Sequence, residues 1–130
     1  IDCNGKREPI RLAGIDAPEC TLNRNTEAES RQTGESLIEI ASKGIDSKRF
    51  LESIVKRGDV IVLAFDVETR TRGGVLLGYV YLSDGRLLNE IIVSEGYAKV
   101  RKVIPNVKYH DRLLQAYKEA RTFRRGLWKS

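Results

Sequence analysis

GYVYLSDGRLLNEIIVSEGYAKV, from Gly78 to Val100, reads as a strand, a tight turn, a short helix and a further strand. Its opening belongs to Val75–Leu82, a run dense in β-branched and aromatic residues that suit a pleated, partly buried surface. Ser83-Asp84-Gly85 supplies turn chemistry. Leu87, Leu88, Ile91 and Ile92 then suggest a short helix, stopped by Gly96, and Tyr97–Arg101 returns to extended chain.

Working outward, Val60–Val67 has the same strand composition, and Gly73-Gly74 lies in the polar bend before Val75, so the two runs form a hairpin. Asp46 is the expected N-cap of a helix before it. Ile45 is placed to staple onto Phe50, and Phe50, Leu51, Ile54 and Val55 make an apolar stripe ended by Gly58. Residues 26 to 43 also read as helical, with Thr26 and Glu29 in a capping-box pattern and Leu37, Ile40 and Ala41 at helical spacing. Toward the end, Tyr109–Arg125 is a helix with Leu113, Leu114, Tyr117 and Ala120 facing inward. Gly126 closes it, and Leu127 and Trp128 cover the core. The start, Ile1–Gly14, reads as two strands turning at Asn4-Gly5, and Pro18 draws Asp16-Ala17-Pro18-Glu19 out of the second. About five strands, mostly antiparallel, interleaved with three or four helices, predict an α+β domain: an OB-fold five-stranded β-barrel with helices packed outside.

The 130 residues make one domain, with 41% apolar and 32% charged residues, a globular balance rather than a disordered one. No apolar run reaches the roughly 18 residues of a membrane span. The net charge is +5, unevenly spread: the chain up to Gly96 carries −3, and Tyr97–Ser130 carries +8. Such a field can concentrate a phosphate backbone, and it also suits a solvated helix face. Cys3 and Cys20 fit either a disulfide or two reduced thiols, and His110 as the one histidine argues against zinc. A chain opening at Ile1 without methionine reads as a processed or trimmed product, its N-terminal strand truncated.

Arg11-Leu12-Ala13-Gly14-Ile15-Asp16-Ala17-Pro18-Glu19 gathers a guanidinium and two carboxylates at the end of one strand. Residues two apart on a strand share a face, so Arg11 and Asp16 need not point together within the strand itself; the Gly14 region and the turn at Pro18 can bring them together. A hard cation such as Ca²⁺ takes carboxylate and carbonyl oxygens, which Asp16 and the Ala17 backbone offer. A carboxylate beside an ordered water can serve as its base, a role open to Glu19. Arginine suits bidentate contact with a phosphodiester, a role open to Arg11.

Ile10–Glu19 (IRLAGIDAPE) resembles the signature of the thermonuclease family, the staphylococcal-nuclease-like domains. Gly78–Val100 is similar to that family's hairpin, helix and last strand, and Ala120-Arg121 through Gly126-Leu127-Trp128 to its closing helix and tryptophan. Residues 20–43 read as an insertion-like helical stretch. The resemblance implies Ca²⁺-dependent cleavage of DNA and RNA on an OB-fold, with 3′-phosphate products. By it, Arg11 binds the scissile phosphate, Asp16 and the Ala17 carbonyl ligate calcium, and Glu19 positions or deprotonates water. It also favours a secreted or periplasmic monomer acting on single-stranded or denatured DNA and RNA, with no membrane partner.

The sequence departs from the family in two places. A second calcium-ligating aspartate, in a Gly-Asp-Thr stretch, would lie upstream of Ile1, and Asp2 is not that residue. One carboxylate alone implies affinity at or below the weak end, ~10⁻⁴–10⁻³ M. The family's hairpin arginine is replaced by Val75, with Arg72, or else Arg70, the candidate to take its place. Lys102 and Arg70 are candidate phosphate contacts. Tyr79 and Tyr81 read as barrel packing, Asn89-Glu90 as a structural helix opening, and His110 as a surface residue at a helix start. The alternative function is a catalytically silent module of this family that binds nucleic acid or protein.

Overall fold

In the computed structural model the described backbone comprises residues 2–3, 6–16 and 37–129, with side chains over 6–16 and 44–129. β1 (Asp2–Cys3) and β2 (Lys6–Arg7) pair antiparallel, Asp2 opposite Arg7. β3 (Ile10–Leu12) follows as a separate strand. Pro9, which has no N–H to give a ladder, divides what the sequence reads as one second strand.

β6 (Leu76–Tyr81) is the centre of a mixed three-stranded sheet. On one side β3 runs parallel to it, Ile10 opposite Leu76 and Leu12 opposite Gly78. On the other, β5 (Val62–Ala64) runs antiparallel, Val62 opposite Tyr81, which is the hairpin expected around Gly73-Gly74. A further pair joins β4 (Ile15–Asp16) to β7 (Lys99–Val100), Ile15 opposite Val100 and Asp16 opposite Lys99.

The first described helix, α1 (Leu37–Ile54), is continuous, so Asp46 lies inside it and is not an N-cap. Tertiary packing carries the helix through the weak helix formers Gly44, Asp46 and Ser47. Ser47, buried, donates its hydroxyl to the Tyr97 carbonyl at 2.8 Å, and the Phe50 ring stacks on Tyr97 with centroids 4.4 Å apart. α2 (Leu88–Ser94) and α3 (His110–Thr122) stand where the sequence places them, followed by a 3-10 turn over Gly126–Trp128. Gly96 sits in the left-handed region at φ +88°, and a Cβ there would collide with the Arg125 carbonyl. That close approach lets the Leu127 N–H reach the Gly96 carbonyl at 2.9 Å and fastens the chain end to α2.

The core joins Ile15, Val80, Leu88, Ile92, Val93, Ala98, Leu113 and Ala116, with Ala13, Tyr79 and Leu87 alongside. Each fully buried Leu, Ile or Val contributes about 1.5–3 kcal/mol, so these side chains fix where the strands lie against α2 and α3. Of the four residues expected to face inward from α3, Leu113 and Ala120 are buried and Leu114 and Tyr117 half-buried. No described helix is long and apolar enough to cross a membrane.

Candidate active site

The corner between β3 and β4 is held from three sides. Ala13 donates its N–H to the Gly78 carbonyl at 2.8 Å. The Ala13 carbonyl accepts from Asn89 Nδ2 at 2.8 Å, and Asn89 Oδ1 accepts the Val80 N–H at 3.0 Å. Asn89, fully buried, thus clamps the corner to β6 and is the structural residue the sequence suggested. The Gly14 carbonyl accepts the Arg101 N–H at 2.9 Å. Gly14 itself has φ +80°, and a Cβ there would lie 2.7 Å from Leu113 Cδ1.

This corner lets Arg11 and Asp16 line one cleft of about 440 Å³, although strand alternation alone would point them apart. Ile10, Leu12 and Ile15 line it with them, together with Thr71 and Val75 of the bend before β6. Arg11 and Asp16 are both exposed, so the charged groups are accessible to a solvated ligand.

Thr71 and Val75 belong to a tight bend. Thr71 exchanges bonds with Val75 through its N–H to the Val75 carbonyl at 2.8 Å and its Oγ1 from the Val75 N–H at 3.2 Å. Arg70 Nη1 donates to the Gly74 carbonyl and to Glu8 Oε1, both at 2.8 Å. The hydrogen bond and charge of Arg70 hold the Glu8 carboxyl below the usual carboxylate range. Arg72 is exposed within the bend, beside Thr71. Neither Arg70 nor Arg72 is among the described residues lining the cleft.

Asp16 stands directly opposite Lys99, and residues directly opposite on antiparallel strands share a face. Lys99 and Arg101 alternate on the same extended stretch, so cations flank Asp16; Lys102, exposed, follows. Sequence reading missed Lys99 and Arg101, whose period-two spacing was the available signal. It also missed Thr71 on the cleft wall, for which the polar bend gave none.

Asp16 offers carboxylate oxygen, the donor a hard cation accepts, and fits one position of a calcium site. Among the described residues no three acidic, histidine or cysteine side chains gather to hold a metal. Ala17, Glu19 and Cys20 lie outside the described residues.

Residues 9–130 match the family described as staphylococcal nuclease homologue. The chain belongs to that family. It is 27% identical to the thermonuclease of Staphylococcus hyicus over all of this chain and 68% of that protein. It is 30% identical to the thermonuclease of Staphylococcus intermedius, over 99% of this chain and 68% of the relative. Endonuclease YhcR of Bacillus subtilis matches 92% of this chain at 26% identity, over 9% of its own length. Nuclease activity is therefore a function found in this staphylococcal nuclease homologue family.

Within this family member, Val75 places an apolar side chain on the cleft wall. Tyr79 and Tyr81 pack as the sequence suggests. Tyr79 is buried and donates its hydroxyl to Asp66 Oδ2 at 2.9 Å, and Tyr81 shares a 2.6 Å hydroxyl–hydroxyl bond with Tyr109. Burial opposes the charge of Asp66, but N–H groups of Lys108 and Val67 and the Tyr79 hydroxyl outweigh it and hold the carboxyl below its usual range. Burial first, then Asp66, pushes the Tyr79 phenol above its usual range. Glu90 pairs with Arg112. His110 opens α3 but is half-buried, rather than the surface residue expected.

Proposed function

We propose that this chain is a Ca²⁺-dependent nuclease that hydrolyses phosphodiester bonds of DNA and RNA with little sequence preference, favouring single-stranded or denatured substrate. The observation that carries the reading is the shared cleft of Arg11 and Asp16. Arg11 grips the scissile phosphate through its planar fork, and Glu19 positions and deprotonates the attacking water. Asp16 and the Ala17 carbonyl hold the calcium ion, which when bound supplies positive charge against the charge that grows on the phosphoryl oxygens. Water attacks phosphorus, the 5′ oxygen leaves, and the product ends in a 3′-phosphate. Arg72, next to the cleft-lining Thr71, is the guanidinium to stabilise that charge, and Lys102 and Arg70 contact the strand backbone. Residues 1–130 form one domain in this reading, a monomer of an exported protein, its strands wrapped as a five-stranded OB barrel.

Val75 favours a second reading. An apolar side chain on the cleft wall, where the resemblance calls for arginine, suits a catalytically silent module that binds nucleic acid or protein. Incubation with denatured DNA, in Ca²⁺ or in EDTA, separates the two. The nuclease reading expects cleavage only with Ca²⁺ and its loss in Glu19→Ala. DNA binding without Ca²⁺-dependent cleavage selects the silent module, and full activity of Glu19→Ala removes Glu19 from the reaction.

A further inference from the structure

Lys99, Arg101 and Lys102 of the basic C-terminal segment lie on the Asp16 side, and the structure concentrates another part of that charge at the far end of α3. There Arg121 lies over the rings of Tyr117 and Trp128, at 5.7 and 5.2 Å from their centroids, and donates to the Tyr117 hydroxyl at 3.2 Å. Arg125 lies 5.2 Å over the Phe123 ring and donates to the Ser94 carbonyl at 3.2 Å. Lys118 and Lys129 are exposed nearby in sequence. Among the described residues none of these cations forms an ion pair, and Glu119 is the one carboxylate on Lys118–Lys129.

Two features exceed what a helix end needs. Cations near a helix C-terminus are favoured by its dipole, which accounts for Arg121. It does not account for Phe123, a full aromatic ring left 66% exposed. Nor does it account for Arg124, which has φ +50° just beyond the helix, where glycine is the usual residue. The Arg125 N–H, donating to the Ala120 carbonyl at 2.9 Å, closes the cap that holds this conformation; an arginine tolerates it at a cost in strain that glycine would avoid.

We propose that Phe123, Arg124 and the adjoining Arg121, Arg125 and Lys129 form a second binding surface, distinct from the cleft, for single-stranded nucleic acid. An exposed ring stacks a base, and guanidinium groups held over rings by cation–π contact present donors to the phosphates. Leu113, which abuts Gly14 at the cleft corner, precedes Phe123 by a helical rise of roughly 15 Å. A strand that bridges the cleft and this surface must span at least that rise, which a dinucleotide does not. That last link rests on the nuclease reading; the binding itself does not.

The test measures binding of a fluorescent oligothymidylate to the whole chain in EDTA, where no Ca²⁺-dependent cleavage can occur, across a KCl series. Phe123→Ala is expected to weaken binding on the order of tenfold. Arg124→Gly is expected to keep or raise Tm, because glycine relieves the strain, while weakening binding severalfold and lowering the salt slope by about one. Unchanged affinity and slope in both variants overturns the proposal. So does equally tight binding of polyglutamate, which carries charge without bases. If Ca²⁺-dependent cleavage of DNA is absent while this binding behaves as stated, the nuclease reading fails and the surface stands. If cleavage is present, both variants raise KM for long strands and leave KM for a dinucleotide unchanged; an equal rise for the dinucleotide overturns the separation from the cleft.

Discussion

Arg70 bridges Glu8 and the Gly74 carbonyl, so the residues leading into β3 are tied to the bend that brings Thr71 and Val75 to the cleft. This guanidinium adds to the β3–β6 ladder, in which Ile10 stands opposite Leu76, in setting that bend beside Arg11. Because the pair is at the surface, its contribution is to spacing rather than to the stability of the fold. Glu8→Gln is expected to leave Tm nearly unchanged and to raise KM for DNA severalfold with little change in kcat. Glu8 has a depressed folded value, so whatever the pair contributes is present above the ordinary carboxylate range and is lost as pH falls through that folded value. An unaltered KM in Glu8→Gln removes the spacing role.

Asn89 is the largest single polar commitment under the site. Replacement by Leu strands the buried Val80 N–H and the Ala13 carbonyl, at about 1–3 kcal/mol for each group left without a partner. Urea denaturation of Asn89→Leu should show a lower midpoint with an unchanged m-value. Wild-type stability would mean that other groups satisfy the corner.

How much of this was legible follows from the range of each interaction. The β5–β6 hairpin, α2 and α3 are written in local periodicity and turn residues, and the structure places them accordingly. The break assumed before Asp46 was also a local inference, and it fails because Ser47 and Phe50 bind Tyr97, about fifty residues away in the chain. The same limit hid the Arg70–Glu8 bridge and the hold of Asp66 on Tyr79 and Lys108: an acid in a polar loop gives no sign of its distant partners. Arg11 and Asp16 were legible as residue types. Their convergence was expected of Gly14 and the turn at Pro18; the structure places the left-handed corner at Gly14, while Pro18 lies outside the described residues.

Gly14 offers a direct test of that corner. Gly14→Ala must adopt φ +80° with a Cβ 2.7 Å from Leu113 Cδ1, so it suffers both backbone strain of about 1–2 kcal/mol and a steric clash. Thermal unfolding should show a clear fall in Tm. Adding Leu113→Ala to it should lower stability by less than the sum of the two single changes, because the clash disappears while the strain stays. Full additivity would mean that the two side chains never compete for that space.

Asp66 couples the hairpin to the segment before α3, and its ionisation has a calculable sign. Its folded value is depressed, so its stabilisation is present above the ordinary Asp value of about 3.9 and lost as pH falls through the folded one. Tyr79 is the opposite case: its folded value is raised, so its contribution is complete below about pH 10 and lost above. Asp66→Asn is expected to flatten the acid limb of the stability profile. The Tyr79 phenol should then ionise at lower pH in an ultraviolet titration. An acid limb identical to wild type would show that Asp66 does not ionise through folding.

Val75 decides how far the catalytic reading reaches. Val75 already lines the same cleft as Arg11 and is half-buried, so arginine there can reach that cleft without replacing a fully buried side chain. Groups that stabilise transition-state charge contribute on the order of 10²–10⁵ in rate. If Arg72 does not substitute, Val75→Arg should raise kcat for denatured DNA by at least tenfold, and Arg72→Ala should change little. If Arg72 already serves, Arg72→Ala loses most activity and Val75→Arg restores it. A chain indifferent to both changes has no guanidinium at that step, and the phosphate chemistry must then be assigned to Arg11 alone.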